Sequence, residues 1–342
     1  QGITIDVAHI YFSTDNRKYI IADTPGHIEY TRNMITGASN AEVSIVLIDA
    51  RNGVIEQTRR HLFISALLQI QTVFVAVNKM DLVHFDESIF RSIEAEVKAL
   101  AEKINFNGSL HFIPIAAKLG DNVVAPSQNI DWYKGKTLLQ LLEAQPVHKN
   151  DDSLPARLPV QYVIRPHADE HHDYRGYAGQ LTSGTLNVGD EVAVLPSLKK
   201  STIRSIHVAS TKQQSAKAGD SVSIELEDDV DVSRGNMLVQ ADDVYTQVNA
   251  FTATLNWMDE QPLSAGKTYL LQHGVNIVKA KITALQSVLD IHTMNETTEK
   301  KTLQLNDIGK ASIKTAKPIF ADLYKDNRRI GAFILIDEFS NN

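Results

Sequence analysis

The chain has 342 residues, 34 basic and 41 acidic for a net charge of −7, with 43% hydrophobic and 22% charged residues. This is ordinary globular composition, long enough for two or three domains, and it argues against a nucleic-acid binder held by phosphate contacts, though a local basic patch would be masked by the total. There is no cysteine, which excludes disulfides, cysteine zinc sites and thiol nucleophiles; no apolar run reaches the roughly 18 residues that span a bilayer, nothing at the start reads as a signal peptide, and a cytoplasmic protein is expected.

Residues 17–22, 43–48, 72–77 and 111–115 predict strands that are apolar on both faces, as in a sheet covered on two sides. Helical patterns lie between or after them, near residues 28–36, 57–68, 87–104 and 137–143. The alternation predicts a doubly wound parallel-sheet α/β domain over residues 1–150. The polar, proline-containing stretch 146–159 reads as a linker. Beyond it, short strand-like segments at 160–164, 178–182, 191–194, 200–206 and 221–226 are punctuated by Gly176, Gly179, Gly184, Gly189 and Gly219, which predicts a β-barrel over residues 155–243. A second β-rich stretch, with expected strands at 248–255, 268–273, 275–285, 309–315 and 329–336, predicts another barrel over residues 245–342. The expected fold is therefore multidomain, α/β followed by all-β.

Ligands of open α/β sheets bind outside the carboxyl ends of the strands, and three predicted strand ends carry specific chemistry. The first is Asp23-Thr24-Pro25-Gly26-His27. A carboxylate there can hold Mg²⁺ through water, and a glycine N–H can approach a terminal phosphate without a side chain in the way; the same residues also make ordinary turns. The second is Asn78-Lys79-Met80-Asp81. Asp81 can accept from guanine N1–H and N2–H₂, a donor pair adenine lacks, Asn78 can bond the purine N7 edge and brace neighbouring loops, and the Lys79 stem can cover the base. A polar strand end followed by a helix cap would look alike. The third, Ala116-Ala117-Lys118, could offer a backbone N–H to guanine O6 or be a plain loop.

In this order and spacing, the residues resemble those of translation-factor-type GTPases, with Gly2-Ile3-Thr4-Ile5 similar to the end of the first switch. The resemblance implies that Thr4 ligates Mg²⁺ in the GTP state and Asp23 holds it through water. It also implies that Gly26 senses the γ-phosphate and His27 orients the attacking water. The Ala116 position is usually Ser in that family, and the alanine loses only a bracing hydroxyl. Residues 22–39, 49–61, 78–83, 159–179, 257–263 and 324–337 are more closely similar to the large, GTPase subunit of bacterial sulfate adenylyltransferase. That resemblance implies GTP and Mg²⁺ as cofactors and a small catalytic (ATP sulfurylase) subunit as partner, in a heterodimer. It implies further that the partner forms adenosine 5′-phosphosulfate from ATP and sulfate, driven by GTP hydrolysis on this chain, with no membrane or nucleic acid expected. The alternatives are a translation factor carrying aminoacyl-tRNA, or a nucleotide-free docking scaffold.

No G-x-x-x-x-G-K-[ST] phosphate loop occurs. Gly135-Lys136-Thr137 and Gly266-Lys267-Thr268 do not qualify, because Ile130 and Gln261 stand where the first glycine belongs. The first strand, the phosphate loop and most of the first switch are expected to precede Gln1, and the last motif of the third domain to continue beyond Asn342. Among weaker features, His167, His171 and His172 with Asp169 and Asp173 could bind a transition metal, but they read better as a solvated loop insertion. Arg32, Arg51, Arg59 and Arg60 offer transition-state, partner or surface-ion-pair roles. Trp257 and Met258 read as packing residues. Lys199-Lys200 and Arg328-Arg329 are too short to indicate nucleic acid.

Overall fold

The computed structural model describes residues 5–146, 152–165, 174–209, 211–243 and 245–340. They form two compact units, one of residues 1–147, 254–263 and 286–310, the other of residues 148–253, 264–285 and 311–342.

The first unit begins with a hairpin, β1 (Ala8–Ser13) and β2 (Lys18–Asp23). It continues through α1 (Thr31–Ala38), β3 (Val43–Asp49), α2 (Glu56–Leu67), β4 (Thr72–Asn78), α3 (Glu87–Lys103), β5 (Ser109–Pro114) and α4 (Leu138–Ala144). Strands β3, β4 and β5 form a parallel sheet in that order, as the alternating apolar runs predict. The central strand is buried on both faces. Val73, Val75 and Val77 pack with Leu62 of α2 and Phe90, Ile93 and Val97 of α3. Phe74 and Ala76 face Leu138, Leu141 and Leu142 of α4. α3 presents one apolar stripe at three- and four-residue spacing, and its Asp86 N-cap accepts the Ser88 N–H at 2.7 Å.

The strand predicted at 17–22 forms, but it does not join the parallel sheet. It pairs antiparallel with β1, from Ser13↔Lys18 to Ala8↔Asp23. The pairing is local: four residues turn the chain, closed by Thr14 N–H to the Arg17 carbonyl at 2.9 Å, and the cross-strand rings of Phe12 and Tyr19 stack at 4.6 Å. Arg17 also reaches the end of α4, donating to the carbonyls of Leu142 (3.3 Å) and Gln145 (2.6 Å). It thus satisfies acceptors that a helix C-terminus leaves open. Residues 286–310 complete this unit. Ile291 and Met294 join the core beneath α2 and α3, and Ile308 packs with Met34 and Ile64.

In the second unit an antiparallel sheet runs in the order Leu158–Pro159, Met237–Gln240, Glu191–Leu195, Lys199–Val208, Ser221–Leu226, Gly176–Gln180 and Tyr162–Ile164. It encloses a core that includes Leu158, Tyr177, Val192, Ile206, Ile224 and Leu238. Gly179 is required by close approach, because a Cβ there would lie 2.2 Å from the Pro159 carbonyl oxygen. Arg157 is buried and paired with Asp243 and Asp322. In the same unit Thr268–His273 pairs with the start of Asn276–Asp290 and with Ile334–Ile336. Among the described residues, no helix is long and apolar enough to cross a membrane.

Candidate functional site

Asp49 and Asn78 are register partners at the ends of β3 and β4, and Val77 is the partner of Pro114 at the end of β5. The residues after each strand therefore emerge side by side at one edge of the sheet.

Asn78 organises this edge. Its side-chain oxygen accepts the Lys79 N–H at 2.7 Å and the Ala117 N–H at 3.0 Å. Its backbone carbonyl accepts the Ala50 N–H at 2.9 Å. Lys79 takes the left-handed conformation, with φ 63°, which turns the chain so that Met80 N–H reaches the Ile115 carbonyl at 3.2 Å. The Met80 side chain is fully buried in the core, so this residue anchors the turn and presents only backbone to the edge. The Lys79 ammonium lies 2.9 Å from the Asp49 carboxylate. Asp81 is partly exposed, and among the described residues nothing hydrogen-bonds its carboxylate.

The neighbouring loop is held by residues that motif reading missed. The Ala116 N–H donates to the Asp121 carbonyl at 3.3 Å. The carboxylate of Asp121 accepts from Ser127 Oγ (2.5 Å) and Asn129 Nδ2 (3.2 Å). Asn122 is buried at φ 56° and spans the loop, donating from Nδ2 to the Pro114 carbonyl at 3.0 Å and accepting the Ser127 N–H at 2.8 Å. The only sequence signal was the polar run Asp121-Asn122 three residues past Lys118. Ala116 is buried; Ala117 and Lys118 are exposed.

Asp49 is the other residue that sequence reading left without a role. Its carboxylate accepts from Arg51 Nε (3.0 Å) and Nη2 (2.7 Å), from the Arg51 N–H (3.0 Å) and from Lys79. Arg51 first, and Lys79 against the opposing effect of burial, hold this group far below the usual carboxylate range.

The second group lies at the end of β2, in a sheet separate from β3–β5. Asp23 and His27 are exposed and Pro25 is buried, and no hydrogen bond engages the Asp23 carboxylate among the described residues. Thr24 packs against α1 at Gly37, where a Cβ would come within 2.6 Å of Thr24 Cγ2. Gly26 differs. A Cβ there would meet nothing within 4 Å, and its φ lies outside the left-handed region. Neither packing nor backbone conformation asks for glycine at this position. Thr4 and the histidine-rich segment, His167, His171 and His172 with Asp169 and Asp173, lie outside the described residues.

The arginines divide. Arg51 pairs with Asp49, and Arg59 with Glu96 at 2.8 Å. Arg60 is buried; it pairs with Glu56 at 3.3 Å, and its Nη1 donates to the Asn306 carbonyl at 2.9 Å. The two Gly-Lys-Thr triplets serve the fold. Thr137 is the N-cap of α4, in a capping box with Gln140, and Gly266, at φ 92°, turns the chain ahead of the strand at Thr268. Trp257 is buried, with its Nε1 donating to the Gln261 carbonyl at 2.8 Å, in keeping with a packing role.

Comparison with known proteins gives the site a context. Residues 1–149 match the family profile described as Elongation factor Tu GTP binding domain, and residues 250–342 that described as GTP-eEF1A C-terminal domain-like. The chain is 46% identical to Sulfate adenylyltransferase subunit 1 of Cellvibrio japonicus (strain Ueda107), over 100% of this chain and 71% of that protein. It is 45% identical to Sulfate adenylyltransferase subunit 1 of Bacteroides thetaiotaomicron, with the same coverage. It is 44% identical to the Bifunctional enzyme NodQ of Rhizobium sp. (strain BR816), spanning 53% of that longer chain. A solved structure of sup35 complexed with GDP shares the fold, with a TM-score of 0.51 at 19% identity, covering 97% of this chain and 81% of that one.

Proposed function

The chain belongs to the sulfate adenylyltransferase subunit 1 family of translation-factor-type GTPases, and from that premise we propose that it binds and hydrolyses GTP to drive sulfate activation. The adenylylation is carried out by a separate, smaller catalytic subunit, which joins ATP and sulfate into adenosine 5′-phosphosulfate and pyrophosphate. That reaction is unfavourable by itself, and GTP hydrolysis on this chain supplies the driving force through segments whose order depends on the γ-phosphate. We read residues 1–150 as the GTPase domain and residues 155–243 and 245–342 as two β-barrel domains, working in the cytoplasm.

In this reading Asp81 accepts the two donors of the guanine edge, and its otherwise unengaged carboxylate fits that task. Asn78 keeps the two base-facing loops in register. The Lys79 stem covers the base, and a backbone N–H of the Ala116–Lys118 turn donates to O6. On the phosphate side, the free carboxylate of Asp23 and the open space beside Gly26 fit a magnesium nucleotide. Asp23, through water, and Thr4 would hold Mg²⁺, which would supply neutralisation of phosphate charge. Gly26 offers its N–H to the γ-phosphate, and His27 orients the attacking water.

The observation that carries the proposal is the bond from the Ala117 N–H to Asn78 Oδ1, which ties the Asn78–Asp81 turn to the following loop at the strand ends. The test is reconstitution of the full-length protein with its small subunit, measuring adenosine 5′-phosphosulfate with and without GTP. GTP should raise the yield and be hydrolysed in step with it. A yield indifferent to GTP sinks the coupling role.

A further inference from the structure

The Asp49 carboxylate lies beside the base-reading turn, 83% covered, and binds two cations at once. It takes the fork of the Arg51 guanidinium, at 3.0 and 2.7 Å, and the Lys79 ammonium at 2.9 Å. Asp81, two residues beyond Lys79 and three beyond Asn78, the register partner of Asp49, has no hydrogen-bond partner among the described residues; Asp49 first, and Asp81 last, push the Arg51 guanidinium up. Arg51 therefore stands within the field of two carboxylates and is claimed by one of them.

The chemistry makes this consequential. A guanidinium presents two parallel N–H donors that fit a carboxylate bidentately. The N1–H and N2–H₂ edge of guanine presents the same pattern. The two are competitors for Asp81.

We infer that Asp49 is a positioning residue of the guanine site, which holds Arg51 away from the Asp81 carboxylate and fixes Lys79, so that Asp81 stays free to read the base. The inference rests on the reading of Asp81 as the guanine acceptor. Asp49 touches no nucleotide in this role; it acts through Arg51 and Lys79.

The experiment is equilibrium binding of a fluorescent GDP analogue to the full-length protein in complex with its partner subunit. Asp49→Asn keeps the size of the side chain but removes the charge that captures Arg51. It should weaken GDP by about tenfold, the scale of one charge-assisted hydrogen bond lost from the base. Adding Arg51→Ala should restore most of the affinity, because the competitor is gone. The Asp49→Asn loss should also shrink for inosine diphosphate, which lacks the 2-amino donor and so gains less from Asp81. A merely structural role for Asp49 would produce neither the rescue nor the base dependence. Unchanged affinity in Asp49→Asn, or a double variant as weak as the single one, overturns the inference. Asp81→Asn serves as the independent control. If it fails to trade guanine for xanthine nucleotides, the base-reading role itself is wrong. If it makes that trade while Asp49→Asn binds normally, only the role of Asp49 is wrong.

Discussion

The side-chain oxygen of Asn78 accepts the backbone N–H of Ala117 at 3.0 Å, across 39 residues of sequence. The same oxygen accepts the next N–H along its own chain, that of Lys79, at 2.7 Å. One amide thus fixes both the turn that carries Asp81 and the loop that flanks it. Asn78→Ala removes both bonds and leaves two N–H groups seeking water. Guanine nucleotide affinity should fall by about tenfold or more, with GDP and GTP affected alike because the phosphates are not involved. Isothermal titration of both nucleotides checks this; a loss confined to GTP would contradict it.

Gly26 separates the demands of folding from those of function. A methyl group there enters open space at an ordinary backbone conformation, so Gly26→Ala should leave unfolding free energy within about 0.5 kcal/mol of the parent. It should weaken GTP, whose γ-phosphate would approach this N–H, and spare GDP. Denaturant melts alongside nucleotide titrations read both quantities, and equal loss for GTP and GDP would show that Gly26 does not sense the γ-phosphate.

His27 is exposed and makes no packing contribution that alanine would forfeit. His27→Ala should slow GTP hydrolysis by about a hundredfold, the lower range for losing a group that assists proton transfer or orients water, at unchanged GTP affinity. Single-turnover hydrolysis measures the step directly, and wild-type turnover would remove His27 from the mechanism.

Much of this edge is legible before folding, for a physical reason. The strands β3, β4 and β5 announce themselves as short apolar runs because both faces of the sheet are covered, and Asn78-Lys79-Met80-Asp81 names its chemistry by residue type. What is hidden are the partnerships that chain closure creates. Lys79 meets Asp49 from 30 positions away, and Arg60 meets the Asn306 carbonyl from 246. Asn122 acquires its task only when Pro114 and Ser127 arrive on either side of it. The hairpin strand Ala8–Ser13 is mostly exposed although Ile10, Tyr11 and Phe12 are apolar, and its pairing with β2 shows only in the turn that joins them. The Gly-Lys-Thr triplet at Thr137 shows the reverse case: its local capping signal, Thr137 with Gln140, describes the residue better than any nucleotide motif.

The packing of His61 on α2 has a pH signature. Burial, with the positive charge of Arg60 in second place, pushes its imidazole down to about 4 from 6.5. Between those values the unfolded chain takes a proton that the folded chain refuses. Stability is therefore whole above pH 6.5 and declines as the pH falls toward 4, by up to about 3 kcal/mol for a shift of this size. His61→Gln should flatten that stretch of the curve while leaving the acid limb below pH 4 in place. Melting temperatures at pH 7.0 and 4.5 test it, and equal drops in parent and variant would assign the acid sensitivity elsewhere.

Arg17 grips the last carbonyls of α4 at the turn of the hairpin, while Asp23 sits at the far end of the same strand. The ribbon between them is six residues long, about 20 Å, and is stiffened by its partner strand and by the stacked rings of Phe12 and Tyr19. Its two ends are held differently: Arg17 is tied to the end of α4, whereas the Asp23 carboxylate meets no hydrogen-bond partner among the described residues. Replacing Arg17 would therefore free the turn end of the ribbon and leave the last carbonyls of α4 to water.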